Sequence, residues 1–383
     1  MASATVATAA IAPALPDASM NPAVIVRHGR NLLSVMEINA NRLIGREMVP
    51  MRTDILAIEP TSACNLKCSF CAYVKKDSPK ITMKNDRFVD YVGQAVAMGY
   101  RRFHLTPNTG DIFMDRRIFD KLAFLEEHPE VEEYQFYTNF TVLDGDDIAR
   151  LVTLKKLKYM TISIYGHDRD SFVRIAQATN KVYQRLLTNL ETMLGVLDRR
   201  AGVLNVAIRS TRDMPRTPET DLLRLLERYK AAGISVKRSQ LYHSWGGKIT
   251  PEDLKGLAID VMDSGKIYKN GACSLLFTGV QIMATGLVHA CACVDVNASL
   301  TIGDLNERPL SEILSSRNPL YMGLIEEQQN GLFRDVCREC GFYKSIYHSR
   351  SQDRKEQIPL RSIAEFKTAL DAKSEAAALA AAE

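Results

Sequence analysis

Residues 54–71 read Asp54-Ile55-Leu56-Ala57-Ile58-Glu59-Pro60-Thr61-Ser62-Ala63-Cys64-Asn65-Leu66-Lys67-Cys68-Ser69-Phe70-Cys71. Asp54–Thr61 is a short apolar run of strand length, and the loop after it carries three thiols at C-x3-C-x2-C spacing. The same rhythm continues downstream. Candidate strands fall at Arg102–Thr106, Tyr134–Thr138, Tyr159–Tyr165, Leu204–Arg209 and Ile234–Leu241. Helical periodicity fills the gaps at Arg87–Met98, Arg117–His128, Asp144–Leu154, Ser171–Leu197 and Glu219–Ala232, and Gly99, Gly166 and Gly233 mark joins. Six strands alternating with helices predict an α/β fold of parallel βαβ units, closed as a barrel or opened as a doubly wound sheet.

Outside that block the pattern changes. Residues 1–20 are rich in Ala, Thr and Pro and read as a disordered start; Asn21–Met48 fits an amphipathic helix or two. Between 251 and 350, Leu275–Met283 and Leu287–Cys293 flank Ala284-Thr285-Gly286, which predicts a β-hairpin. A helix near Leu310–Gln328 and the turn Cys337-Arg338-Glu339-Cys340 follow, and Ala364–Glu383 is an Ala-rich, helix-prone tail. The expected organisation is therefore 1–50, 51–250, 251–350 and 351–383.

Composition sets the frame for function. With 383 residues, 46% hydrophobic and 25% charged, the chain has the make-up of a folded globular protein of about two domains. A net charge of +4 gives no reason to expect nucleic acid or an anionic membrane as a partner. No apolar run reaches the length of a membrane span, and the first basic residue is Arg27, so no secretory signal is expected and the location expected is cytoplasmic. Of eight cysteines, three lie in 64–71 and five in 273–340, with none between residues 72 and 272. Clustering of this kind in a large chain points to metal sites rather than a disulfide framework.

The C-x3-C-x2-C loop can wrap three thiolates around one face of a four-iron cluster and leave one iron open for a small chelating molecule. Its place after a strand end fits the active-site side of a βα barrel. Zinc would want a fourth ligand, which no nearby His supplies, and buried structural cysteines are the remaining alternative.

The loop resembles that of the radical S-adenosylmethionine superfamily, in which a C-x3-C-x-aromatic-C segment holds a [4Fe–4S] cluster that chelates S-adenosylmethionine. The resemblance implies a partial (β/α)6 TIM-type barrel and reductive cleavage of the cofactor to a 5′-deoxyadenosyl radical. It implies Cys64, Cys68 and Cys71 as cluster ligands, with the Phe70 backbone against the adenine. Thr109-Gly110-Asp111 stands where the family has Gly-Gly-Glu, so Asp111 would hold the methionine amine. Thr138-Asn139 resembles Thr-Asn-Gly, with Phe140 in place of the glycine. Ser163, at the end of strand four, and Arg174, on the next helix, complete the cofactor residues that the resemblance implies.

Cys273, Cys291, Cys337 and Cys340, at C-x17-C-x45-C-x2-C, can close a second metal completely. Their spacing resembles the Twitch domain, a shortened SPASM domain with one auxiliary [4Fe–4S] cluster; a structural zinc is the alternative. Cys293 is left over, either as a small buried residue or as an alternative to Cys291.

Period-two counting puts Thr161, Ser163 and Tyr165 on one face of strand four, and Asn205, Ala207 and Arg209 on one face of strand five. His104 with Thr106, and Gln135 with Tyr137, extend the set, so a polar barrel interior is expected. Arg209, Arg212 and Lys237 could hold an anionic or polyhydroxyl substrate, and His243 and Trp245 follow strand six on the same side. Arg209, His104 and Tyr242 are the candidate bases or anchors. The resemblance, extended to 2-deoxy-scyllo-inosamine dehydrogenase, implies oxidation of a carbohydrate or cyclitol alcohol to a ketone. An external electron donor such as flavodoxin or ferredoxin would serve it. Peptide modification is the enzymatic alternative, and a zinc-stabilised binding protein the non-enzymatic one.

Overall fold

The computed structural model describes residues 22–51, 55–75, 80–106, 110–197, 202–262, 267–291, 294–349 and 359–380. Thr109 and Cys293, and the segment 1–20, lie outside these residues.

Six strands follow one another along the chain: β1 (Ile55–Ile58), β2 (Arg102–His104), β3 (Glu133–Thr138), β4 (Leu157–Tyr165), β5 (Leu204–Arg209) and β6 (Ser235–Ser239). Each pairs in parallel with the next. Strand β4 shows how the two faces of the sheet differ. Ile162 and Ile164 are fully buried on one face while Thr161, Ser163 and Tyr165 alternate with them on the other.

The helices cover the apolar face. They are α2 (Asn85–Ala97), α3 (Ile118–Glu127), α4 (Gly145–Leu151), α5 (Arg169–Ala176), α6 (Asn180–Val196) and α7 (Asp221–Ala231), whereas α1 (Pro22–Leu43) is tied to the C-terminal part by Asn41 Nδ2 donating to Tyr347 O at 2.9 Å. On α7, Leu222, Leu223, Leu225, Leu226 and Tyr229 turn inward, and Thr220 caps the start by accepting from Leu223 N–H at 3.2 Å. Asp144 and Asp168 close full capping boxes at α4 and α5. No described helix is long and apolar enough to cross a membrane.

The structure corrects the reading of Ser171–Leu197 as one helical stretch. Gln177 takes a left-handed conformation at φ 47° and ends α5, and α6 starts afresh at Asn180.

The auxiliary segment joins the same sheet. Strands β7 (Gln281–Ile282) and β8 (Leu287–His289) form the expected hairpin, and β7 pairs in parallel with β1. A strand that the sequence pattern does not mark, β9 (Thr301–Asp304), adds antiparallel to β8. The order across the nine strands is thus β9-β8-β7-β1-β2-β3-β4-β5-β6, with β6 at the far edge. Leu275–Thr278, expected as the start of the hairpin, is a helical turn. The helix expected near Leu310–Gln328 is broken into Leu310–Ile313 and α8 (Pro319–Gln329), where Pro319 begins the second piece. The C-terminal helix α9 (Ile363–Ala380) packs by Phe366 and Leu370.

Candidate active site

The cysteine loop is fixed from three sides. Lys67 and Ser69 N–H groups donate to the last carbonyls of α5, at Ala176 (3.1 Å) and Ile175 (2.9 Å). Asp111 N–H donates to Ala63 O at 2.8 Å. Gly110, at φ 85°, lies against the same turn, where a Cβ would come within 2.4 Å of Thr61 O. Only glycine fits there.

Cys64, Cys68 and Cys71 line one cavity of about 440 Å³ on the concave face of the sheet. Phe70, Gly110, Asp111, Asn139, His104, Ser163 and Arg209 share its wall. Burial, with the Asp111 charge adding to it, pushes the Cys64 thiol up to about 11, and burial raises Cys68 and Cys71 as well. A bare thiolate is disfavoured in such a place, and a cationic iron cluster would supply the missing charge. The donor set therefore fits an iron–sulfur cluster, with Asn139 Nδ2 donating to Cys64 Sγ at 3.7 Å.

Two of the expected cofactor residues are already engaged by the protein. The Asp111 carboxylate is buried and accepts from Phe113 N–H (3.1 Å), Thr138 Oγ1 (2.9 Å) and Asn139 N–H (2.7 Å). With three acceptor positions occupied, one remains. Asn139 also donates to Asn65 Oδ1 at 2.9 Å and accepts from Thr141 N–H at 3.0 Å, so its amide braces the cysteine loop. Phe140, where the family has glycine, keeps the left-handed backbone at φ 61° with its ring fully buried.

Arg174 is exposed on α5, where Ser171, Phe172, Ile175 and Ala176 take the buried positions, and it is not part of the cavity wall. The ring of Tyr242 lies 4.8 Å from that of Phe70, the residue does not line the cavity, and burial raises its phenol well above the usual value. Phe70 also meets Tyr165 at 5.0 Å, and the Arg209 guanidinium stands 5.2 Å from its ring.

His104 lines the cavity with Nε2 buried and without a hydrogen-bond partner, and burial lowers its pKa to about 4. His243 is likewise lowered to about 4, by burial and then by the Arg209 charge, and its Nδ1 accepts from Trp245 N–H at 3.1 Å.

Cys273, Cys291, Cys337 and Cys340 line a second, apolar chamber with only about 20 Å³ of room for water. All seven described cysteines are free. An antiparallel bridge from Cys273 to Ser345 and a parallel bridge from Gly279 to Cys291 bring the distant ligands together. Gln328 on α8 accepts from Cys273 N–H at 2.8 Å and donates to Cys337 Sγ at 3.3 Å. Backbone N–H groups of Phe342 and Lys344 point at Cys340 Sγ (3.3 Å) and Cys273 Sγ (3.5 Å). Burial pushes Cys273 up to about 12 and raises Cys337 and Cys340. Four buried thiols with N–H donors suit a closed iron–sulfur cluster.

Sequence reasoning missed Gln328 and Phe342. Gln328 sits on an unremarkable helix. Phe342, two residues past Cys340, places its ring on the wall of the first cavity. Gly246 and Gly247 let the loop after β6 approach Val336 and Glu339 of the C-x2-C turn, where added Cβ atoms would meet side chains at 2.9 and 3.1 Å.

An α/β fold with one open and one closed cysteine-lined chamber is the architecture of a two-cluster iron–sulfur enzyme. The Radical SAM superfamily matches residues 58–258, more than half of the chain, and the chain belongs to that superfamily. A SPASM iron–sulfur cluster-binding domain matches residues 273–341. The protein is thus a radical S-adenosylmethionine enzyme with a [4Fe–4S] cluster and an auxiliary cluster. The zinc-protein alternative falls away.

GTP 3′,8-cyclase of Clostridium perfringens is 29% identical over 138 residues, which span 35% of this chain and 39% of that enzyme. The chain thus matches well under half of that relative's length. Among solved structures, SuiB of Streptococcus suis bound to precursor peptide SuiA has a TM-score of 0.52 at 16% identity, covering 89% of this chain and 82% of its own. BtrN in complex with AdoMet and 2-DOIA has a TM-score of 0.47 at 16% identity, covering 75% and 92%. SuiB is similar in fold.

Proposed function

We propose that this enzyme oxidises a carbohydrate or cyclitol alcohol to a ketone, with the auxiliary cluster taking up the second electron. The observation that carries this reading is Phe342, which shares the wall of the substrate cavity while its N–H reaches a thiol of the auxiliary site. When bound, S-adenosylmethionine and the first cluster supply a hydrogen-abstracting 5′-deoxyadenosyl radical, and the auxiliary cluster supplies an electron sink.

The residues divide the remaining work. Cys64, Cys68 and Cys71 hold the first cluster, and Cys273, Cys291, Cys337 and Cys340 hold the second. The one free acceptor position of Asp111 takes the cofactor amine, while Gly110 and Phe70 shape its bed and Ser163 offers a hydroxyl. His104 is neutral at pH 7 and has a free buried acceptor, so it takes the hydroxyl proton of the substrate. Arg209, whose guanidinium offers only donors, anchors substrate oxygens rather than acting as a base. Tyr242, high in pKa and behind Phe70, supports that ring. A flavodoxin or ferredoxin supplies the reducing electron.

The test is anaerobic incubation of reduced enzyme with polyols deuterated at the carbinol carbon. Deuterium in 5′-deoxyadenosine together with a ketone product is expected. Label transfer from a peptide and from no polyol would replace this reading with peptide modification.

A further inference from the structure

The concave face of the sheet holds a second cavity beside the first, of about 470 Å³. Gln135, Tyr137, Tyr159, Thr161, Asn205 and Lys237 line it, and Tyr137 belongs to both cavities. The catalytic reading has no use for it.

The strand register sets the two linings side by side. Ser163 pairs with Ala207, and Ala207 with Lys237, so one row crosses from β4 to β6. Ser163 lines the first cavity and Lys237 the second. At the usual spacing of neighbouring strands, Lys237 stands about 10 Å across the sheet from Ser163.

The chemistry of the lining is one-sided. It offers amides, hydroxyls and one ammonium, and no carboxylate. Among the described residues nothing bonds to the exposed ammonium of Lys237. Glu133, the acid two residues before Gln135, is already held by Lys158 at 3.2 Å and Arg102 at 3.9 Å. A lysine on an edge strand can also serve only to keep other chains from pairing there. That role needs no polar cavity beside it.

We infer that the substrate reaches from the first cavity into the second, and that it is a polyhydroxyl molecule bearing a phosphate or carboxylate group received by Lys237. This rests on the proposed polyol oxidation and adds the charged end of the substrate to it. Asn205 and Gln135 present hydrogen-bonding groups to the hydroxyls between, and Lys237 sets specificity without touching the reacting carbon.

Titration calorimetry of the cluster-loaded enzyme with S-adenosylmethionine present tests it, using glucose 6-phosphate, glucuronate and glucose as probes. At least one anionic probe is expected to bind ten-fold or more tighter than glucose, and comparison of the two tells phosphate from carboxylate. Lys237→Ala should remove that preference, Lys237→Arg should keep most of it, and S-adenosylmethionine affinity should stay the same in both. Equal binding of all three probes, or a preference that survives Lys237→Ala, overturns the inference and leaves an edge-protecting lysine only. Binding needs no turnover, so the two readings fail separately. Anion-dependent binding without any ketone formed sinks the oxidation, whereas oxidation of a neutral polyol with KM unchanged in Lys237→Ala sinks the anionic substrate.

Discussion

The ring of Phe342 stands 5.0 Å from the imidazole of His243, at 70° between planes. The N–H of the same residue points at Cys340 Sγ from 3.3 Å. One residue thus belongs to both the first cysteine-lined cavity and the auxiliary cluster site. Its side chain and its backbone do separate jobs, which substitution can separate.

Phe342→Ala keeps the N–H and removes the ring. Product formation should fall about ten-fold, the cost of a misplaced reactant or of water entering the cavity. Release of 5′-deoxyadenosine should fall less than two-fold, so the ratio of 5′-deoxyadenosine to product rises. Chromatography of both compounds reads the ratio, and the spectrum of the auxiliary cluster should not change.

Removing one thiol from each site should dissect the two clusters. Cys71→Ala should leave about four irons per chain instead of about eight and abolish 5′-deoxyadenosine release. Cys273→Ser should also lower the iron content while retaining uncoupled release of 5′-deoxyadenosine. Iron and sulfide analysis, beside the activity assay, checks both.

Gly110→Ala forces a Cβ to within 2.4 Å of Thr61 O at a backbone φ of 85°. The expected cost is about 2–3 kcal/mol. Because Thr61 leads into the cysteine loop, the first cluster should be lost before the second, and thermal unfolding followed at the iron–sulfur absorption should show that order.

His104 gives a pH signature. Burial lowers its pKa from 6.5 to about 4 in the folded chain. Below pH 6.5 the unfolded chain binds a proton that the folded chain refuses, so stability is lost as pH falls from about 6.5 to about 4. His243 acts in the same direction. Denaturant unfolding across that window should therefore show a shallower pH slope for His104→Gln than for the parent. The same variant should slow turnover at pH 7 by 10²-fold or more if the imidazole takes the proton.

Much of this was legible in the chain. Ile162 and Ile164 alternating with Thr161, Ser163 and Tyr165 announce a half-polar strand, and the cysteine spacing announces the chemistry. The break at Gln177 was not legible, since no Gly or Pro marks it and a left-handed glutamine is a tertiary outcome. Strand β9 is four residues long and gains its identity from pairing with β8. The exposure of Arg174 depends on which way α5 turns, which order along the chain does not give. The engagement of Asp111 by three donors and the reach of Phe342 depend on contacts between distant segments, which local pattern does not encode.

The pairing of β7 with β1 has one more consequence. In the wider sheet β1 has β2 on one side and β7 on the other, and β6 and β9 are the outer strands. Without the auxiliary hairpin, a row of backbone donors and acceptors on β1 would face water beside the cysteine loop, ready to take another chain's strand. The C-terminal segment therefore covers that edge from within the same chain. A chain cut before residue 281 should tend to self-associate through β1, which sedimentation of the truncated chain would read.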